Sequence, residues 1–177
     1  GYFGLMRKNC QVIVPADYDE IGALSQNRAL VVYEDEVGYF DGTGKIAIQM
    51  NYETFPNFIK RGQFTGNYAL VKAKGKYGVI DKSGKAIVPL SYTNLGDVSS
   101  IMAFTKGKGW GFMDLTGKVV IQPEYEYAES FKEGLAIVEK LTLQGMIDPK
   151  GKIIVPINFS LIAVILSSSV SLLIYKI

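Results

Sequence analysis

The chain repeats itself, and that feature limits its possible folds more than any other. The strings GKYGVIDKSGKAIVPLSY (75–92) and KGWGFMDLTGKVVIQPEY (108–125) align without a gap, 33 residues apart. Anchored on the second Gly of each, the pattern recurs at Gly4, Gly38, Gly78, Gly111 and Gly145, at spacings of 34, 40, 33 and 34. Five copies, at about 4–37, 38–77, 78–110, 111–144 and 145–177, fill one repeat domain over 1–177. A unit this small cannot bury its apolar face alone, so neighbouring copies must share a core.

Fixed offsets say what each copy is made of. Three residues after the anchor stand Asp41, Asp81, Asp114 and Asp148; six after it stand Gly44, Gly84, Gly117 and Gly151. Asp accepts backbone N–H bonds at the first position of a turn and Gly takes positive φ, so these are structural turns closing tight hairpins. Fourteen after it stand Tyr18, Tyr52, Tyr92, Tyr125 and Phe159. Tyr18, Tyr52, Tyr92 and Tyr125, with Trp110, Phe131 and the apolar row Leu24, Phe64, Val98 and Ile165, are expected to form the core between repeats. Ala29, Ala69, Ala103 and Ala136 recur ahead of the next anchor, and Val170 stands in the last copy, which points to close approach between strands. The first copy departs, with Arg7 and Cys10 in place of Asp and Gly.

Runs of four to six residues rich in Val, Ile and aromatics, bounded by Gly, Asp and Pro, are strand signals. The fold class is therefore all-β: short three-stranded antiparallel meanders in an open twisted array. The alternative is a closed or partial propeller-like toroid, whose blades usually take about 40 residues and four strands. KGWGFMD, TGKVVIQPEY and FKEGLAIV in the fourth copy, with KYGVIDKSGKAIVP in the third, resemble the WG-repeat family of bacterial proteins, also called KWG repeats. The naming aromatic is Trp at Trp110; Phe3 and Tyr77 substitute for it, and Val37 and Gln144 break the pattern. The resemblance implies binding or scaffolding, with no catalytic residues to carry over.

Composition points the same way. The chain has no His, which removes the usual general base, the Ser/His/Asp and Cys/His nucleophile systems and the His-containing zinc sites. The lone Cys10 supports neither an intrachain disulfide nor a redox pair, does not report the compartment, and is expected to be a small apolar filler. Before Ile153 the charges are 18 basic against 17 acidic, a balance of +1, which is no basic stripe for nucleic acid. GTGK, KSGK and LTGK lack the Ser or Thr that a phosphate loop carries after its Lys. One Asp per copy is too sparse for a calcium ladder. The pairs Glu124 with Glu126 and Glu129 with Glu133 read as solvated loop charges rather than an acid and base. No cofactor, metal or catalytic residue is expected.

Two segments stand apart. PNFIKRG (56–62) lengthens the second copy and brings together Phe58, Lys60 and Arg61, the residue types that anchor binding patches for a protein or glycan partner. From Ile153 to Tyr175 there are 23 residues without a charge, long enough to cross a bilayer. Pro156 and Phe159 keep the repeat offsets, so a degenerate fifth copy is the first reading; a membrane tether through 157–177, or an artefactual end, is the second. The chain opens without Met and reads as a fragment whose targeting signal lies outside it.

Overall fold

The computed structural model describes residues 1–166 and 171–176. Val170 lies outside the described residues. The chain divides into two compact units, Gly1–Tyr92 and Thr93–Ile177. In the first, β1 (Phe3–Met6) and β2 (Val12–Tyr18) form a two-stranded sheet. A four-stranded sheet follows, in the order β3 (Glu20–Ile21), β4 (Ala29–Tyr33), β5 (Glu36–Phe40) and β6 (Ile46–Glu53). After α1 (Phe58–Arg61) comes a three-stranded sheet of β7 (Tyr68–Ala73), β8 (Lys76–Asp81) and β9 (Ala86–Tyr92).

The second unit holds two four-stranded sheets and a ribbon. The sheets are β10 (Asn94–Leu95), β11 (Ile101–Thr105), β12 (Trp110–Asp114), β13 (Val119–Tyr125), and then β14 (Tyr127–Ala128), β15 (Ala136–Lys140), β16 (Leu143–Ile147), β17 (Ile153–Phe159). The ribbon is β18 (Leu161–Leu166) with β19 (Ser171–Lys176). All pairings are antiparallel, and among the described residues each strand pairs within its own sheet.

The fold is thus all-β and built from tandem repeats, with one correction to the expected meander. Three of the sheets carry a fourth, two-residue strand immediately after the offset-fourteen aromatic. The insertion occupies that place in the remaining copy, and its sheet keeps three strands. Each sheet consequently runs from just after one aromatic to the next and straddles the boundary between sequence copies.

Consecutive residues of the central strands are buried, so both faces of these strands are covered. Val31, Ala29 and Phe40 face Val14 of β2, while Leu30, Tyr39 and Ile48 meet Phe64, which precedes β7, and Ala69 and Ile80 of the next sheet. In the second unit Ala103, Phe112 and Ile121 meet Ala128, Ala136, Val138 and Ile147. Burying each larger aliphatic or aromatic side chain contributes roughly 1.5–3 kcal/mol, which makes these shared cores the main source of stability.

Ala103 departs from its row. Ala29, Ala69 and Ala136 pair with the residue two past the anchor glycine, but Ala103 pairs with Phe112, one past it, and Met102 takes the Ala register. The β11–β12 loop spans Lys106–Gly109, whereas the equivalent hairpins turn on two residues. A one-residue slip sends every side chain to the opposite face, so Ala103 packs toward the following sheet.

The uncharged C-terminal run divides among β17, β18 and β19, and no helix among the described residues is long and apolar enough to cross a membrane. β17 completes a sheet with β16, and Ile162 packs on Ile137 and Met146.

Candidate functional site

The Asp turns are built alike. Asp41 Oδ1 accepts the Thr43 N–H (2.8 Å), the Thr43 hydroxyl (2.6 Å) and the Lys45 N–H (3.2 Å). Asp81 does the same with Ser83 and Lys85, and Asp114 with Thr116 and Lys118. Asp148 accepts from the Lys150 and Lys152 N–H groups, both at 2.9 Å. Gly44, Gly84, Gly117 and Gly151 stand at φ between 82° and 85°, where a Cβ is strained. Cys10 holds the same place in the first copy at φ 64° and is exposed. It is therefore a turn residue, contrary to the expectation of an apolar filler.

The hydroxyl bond from Thr43, Ser83 or Thr116 is the main cause holding the Asp41, Asp81 and Asp114 carboxyls below their ordinary range, with backbone N–H groups adding to it. A group whose folded pKa lies below its unfolded value of about 3.9 stabilises fully above that value and stops doing so as pH falls through the folded one. Melting temperature is expected to drop below about pH 4, and to drop less steeply in Asp81→Asn/Asp114→Asn. Thermal melts from neutral pH downward check this; parallel curves for parent and variant would contradict it.

A second carboxylate set, not singled out from the sequence, holds the hairpin tips. The residue after the aromatic reaches the hairpin tip: Asp19 Oδ2 accepts the Glu34 N–H (2.7 Å), Glu53 Oε1 the Gly75 N–H (3.1 Å), and Glu126 Oε2 the Thr142 N–H (3.3 Å). Its sequence signal was the acidic residue recurring after Tyr18, Tyr52 and Tyr125. Glu53 also pairs with Lys72 (3.2 Å), Glu124 with Lys140 (3.4 Å), and Glu129 with Lys132 (3.5 Å). Among the described residues no group of three or more His, Cys, Asp or Glu could hold a metal.

The aromatics fall into two groups. Tyr92 and Tyr125 are buried, whereas Tyr18, Tyr52, Trp110 and Phe131 are partly buried against the shared clusters. Trp110 meets Tyr127 edge-on at 6.0 Å, and Phe131 lies 4.8 Å from Phe112. Phe64 is buried and Leu24 is 59% exposed, so the apolar row does not act as one. Side-chain contacts at Ile165 lie outside the described residues.

The insertion folds back. Phe58 and Ile59 pack against the first unit's core, Phe55 sits between the rings of Phe58 (6.3 Å) and Tyr77 (5.4 Å), and the Arg61 guanidinium lies 5.8 Å from the Phe55 ring. The buried Tyr39 hydroxyl donates to the Gly62 carbonyl at 2.6 Å, and burial pushes that phenol well above its usual range. Lys60 points outward and is exposed.

Short antiparallel sheets that share cores within each unit, the four larger ones with the same Asp turn between their last two strands, define a tandem β-repeat scaffold. Five stretches, 3–36, 38–77, 77–106, 110–140 and 145–166, match the family model described as WG containing repeat. The chain belongs to this WG-repeat family. No curated protein matches it.

Proposed function

We propose that this chain is a binding or scaffolding module that presents copy-specific surface to a protein or glycan partner. The observation that carries the reading is a division of labour among residues. Those that recur are used by turns, hairpin tips and shared cores, so selectivity falls to what differs between copies. The insertion in the second copy is the largest such difference. Its exposed Lys60, flanked by Arg61 on an aromatic platform, suits a partner bearing carboxylate or other anionic groups. Phe58 supports that platform from beneath.

Capture of acidic peptides and of a glycan array by the immobilised chain tests this. Lys60→Ser is expected to keep the parent melting temperature and weaken capture about tenfold, equivalent to about 1.4 kcal/mol. Phe58→Ser should lower the melting temperature as well, because its ring packs on the core. Equal capture by Lys60→Ser and parent would remove the insertion as the site.

A further inference from the structure

We infer that the Tyr39 hydroxyl is the positioning group of the insertion: from inside the core it holds Lys60 and Arg61 where a partner meets them. The inference rests on the reading of the insertion as the binding surface. α1 cannot hold its own shape. It is a single turn of four residues, its N-cap Asn57 sits at φ 60° with no side-chain cap, and none of its residues is fully buried. Helices this short are unstable unless the rest of the fold fixes them. Upstream, Phe55 is buried against Tyr77. Downstream, Gly62 closes the turn: its N–H donates to the Phe58 carbonyl at 2.7 Å, and its carbonyl accepts the Tyr39 hydroxyl at 2.6 Å. Lys60 and Arg61 stand immediately before this point.

The Tyr39 ring is itself fixed. It is 1% exposed, stands opposite Leu30 and Ile48 in the sheet, and meets Phe64 edge-on at 5.0 Å. The hydroxyl belongs to this copy alone: one place after the anchor glycine the other copies carry Leu5, Val79, Phe112 and Met146. The copy with the insertion is thus the one whose sheet can donate a hydrogen bond from that place. A phenol buried in an apolar cluster without a partner would be destabilising, so Tyr39 and the insertion account for one another. A loop already held in its bound shape spares the ordering cost that a loose one imposes on binding.

Tyr39→Phe removes the hydroxyl and keeps the ring. Amide exchange of the full chain is expected to quicken about tenfold at Lys60, Arg61 and Gly62, whose N–H groups bond within the turn, and to keep the parent's rates along β4 and β5. Capture of an oligoglutamate peptide should weaken about fivefold, although no residue facing the peptide has changed. Tyr39→Met, which installs the residue of the fifth copy, gives the same comparison if Tyr39→Phe does not fold. Exchange that is unchanged in the turn, or that rises equally along β4 and β5, overturns the assignment whatever the capture shows. So does unchanged capture by Tyr39→Phe where Lys60→Ser weakens it. Lys60→Ser binding like the parent removes instead the reading of the insertion as the binding surface, and the exchange rates still decide whether Tyr39 holds the turn.

Discussion

Gly111→Ala is expected to destabilise the second unit by about 3 kcal/mol or more, although it adds a single methyl group. A Cβ at Gly111 would lie 2.6 Å from the Ile121 carbonyl oxygen, 2.8 Å from the Pro123 nitrogen and 2.9 Å from the Gln122 carbonyl carbon. These are backbone atoms of β13, held by the ladder, so no rotamer change relieves the contact. The pairing is irregular across this residue, between Trp110 and Phe112, and again between Phe112 and Met113, and the bulge brings β13 across the glycine. Gly117→Ala is the control: its φ is 83° but a Cβ there meets nothing within 4 Å, so it should cost only about 1–2 kcal/mol. Trp110 is the chain's single Trp and lies next to Gly111, so urea titrations followed by its fluorescence read the right region. Equal shifts for the two variants would show that close approach is not what holds glycine there.

Phe112→Ala is expected to cost about 3–5 kcal/mol. The side chain is fully buried, in the cluster that joins β10–β13 to β14–β17 across the boundary between copies. Its ring lies 4.8 Å from that of Phe131 in the loop before β15. Phe131→Ala should therefore be less than additive with it, because each single change already removes the ring contact. Val119→Ala, at a position 39% exposed, should fall within about 0.5 kcal/mol of the parent. Denaturant unfolding of the four variants checks the set; full additivity would place the two rings in independent environments.

The anchor glycines show where sequence reading reached and where it stopped. Their recurrence was visible, and so was the Asp turn, because an Asp and a Gly three residues apart act through local backbone geometry. The reason for the anchor was not visible: Gly111 is close to Ile121 through a bulge in a pairing that a linear string does not display. Ala103 failed for a related reason. Its place in the row was correct by counting, but the longer Lys106–Gly109 loop moved the register by one residue and turned the side chain over. In the insertion, residue types suggested display, whereas Phe55 and the Tyr39 hydroxyl, both distant in kind from a loop signal, draw Phe58 and Gly62 inward. The two-residue strands were missed because pairing of that length leaves no periodic trace.

The offset between sheet and sequence copy also bears on how the length of such a chain can change. Removing residues 111–144 would join Trp110 directly to Gly145 and write KGWGMID across the seam. That string again has aromatic, anchor glycine and turn aspartate in order. β10 and β11 would then pair with β16 and β17 to make one sheet of the usual kind, its strands cut from two parents. An excision at this seam therefore leaves the order of strands intact, and copy number is a quantity that the strand order itself does not count.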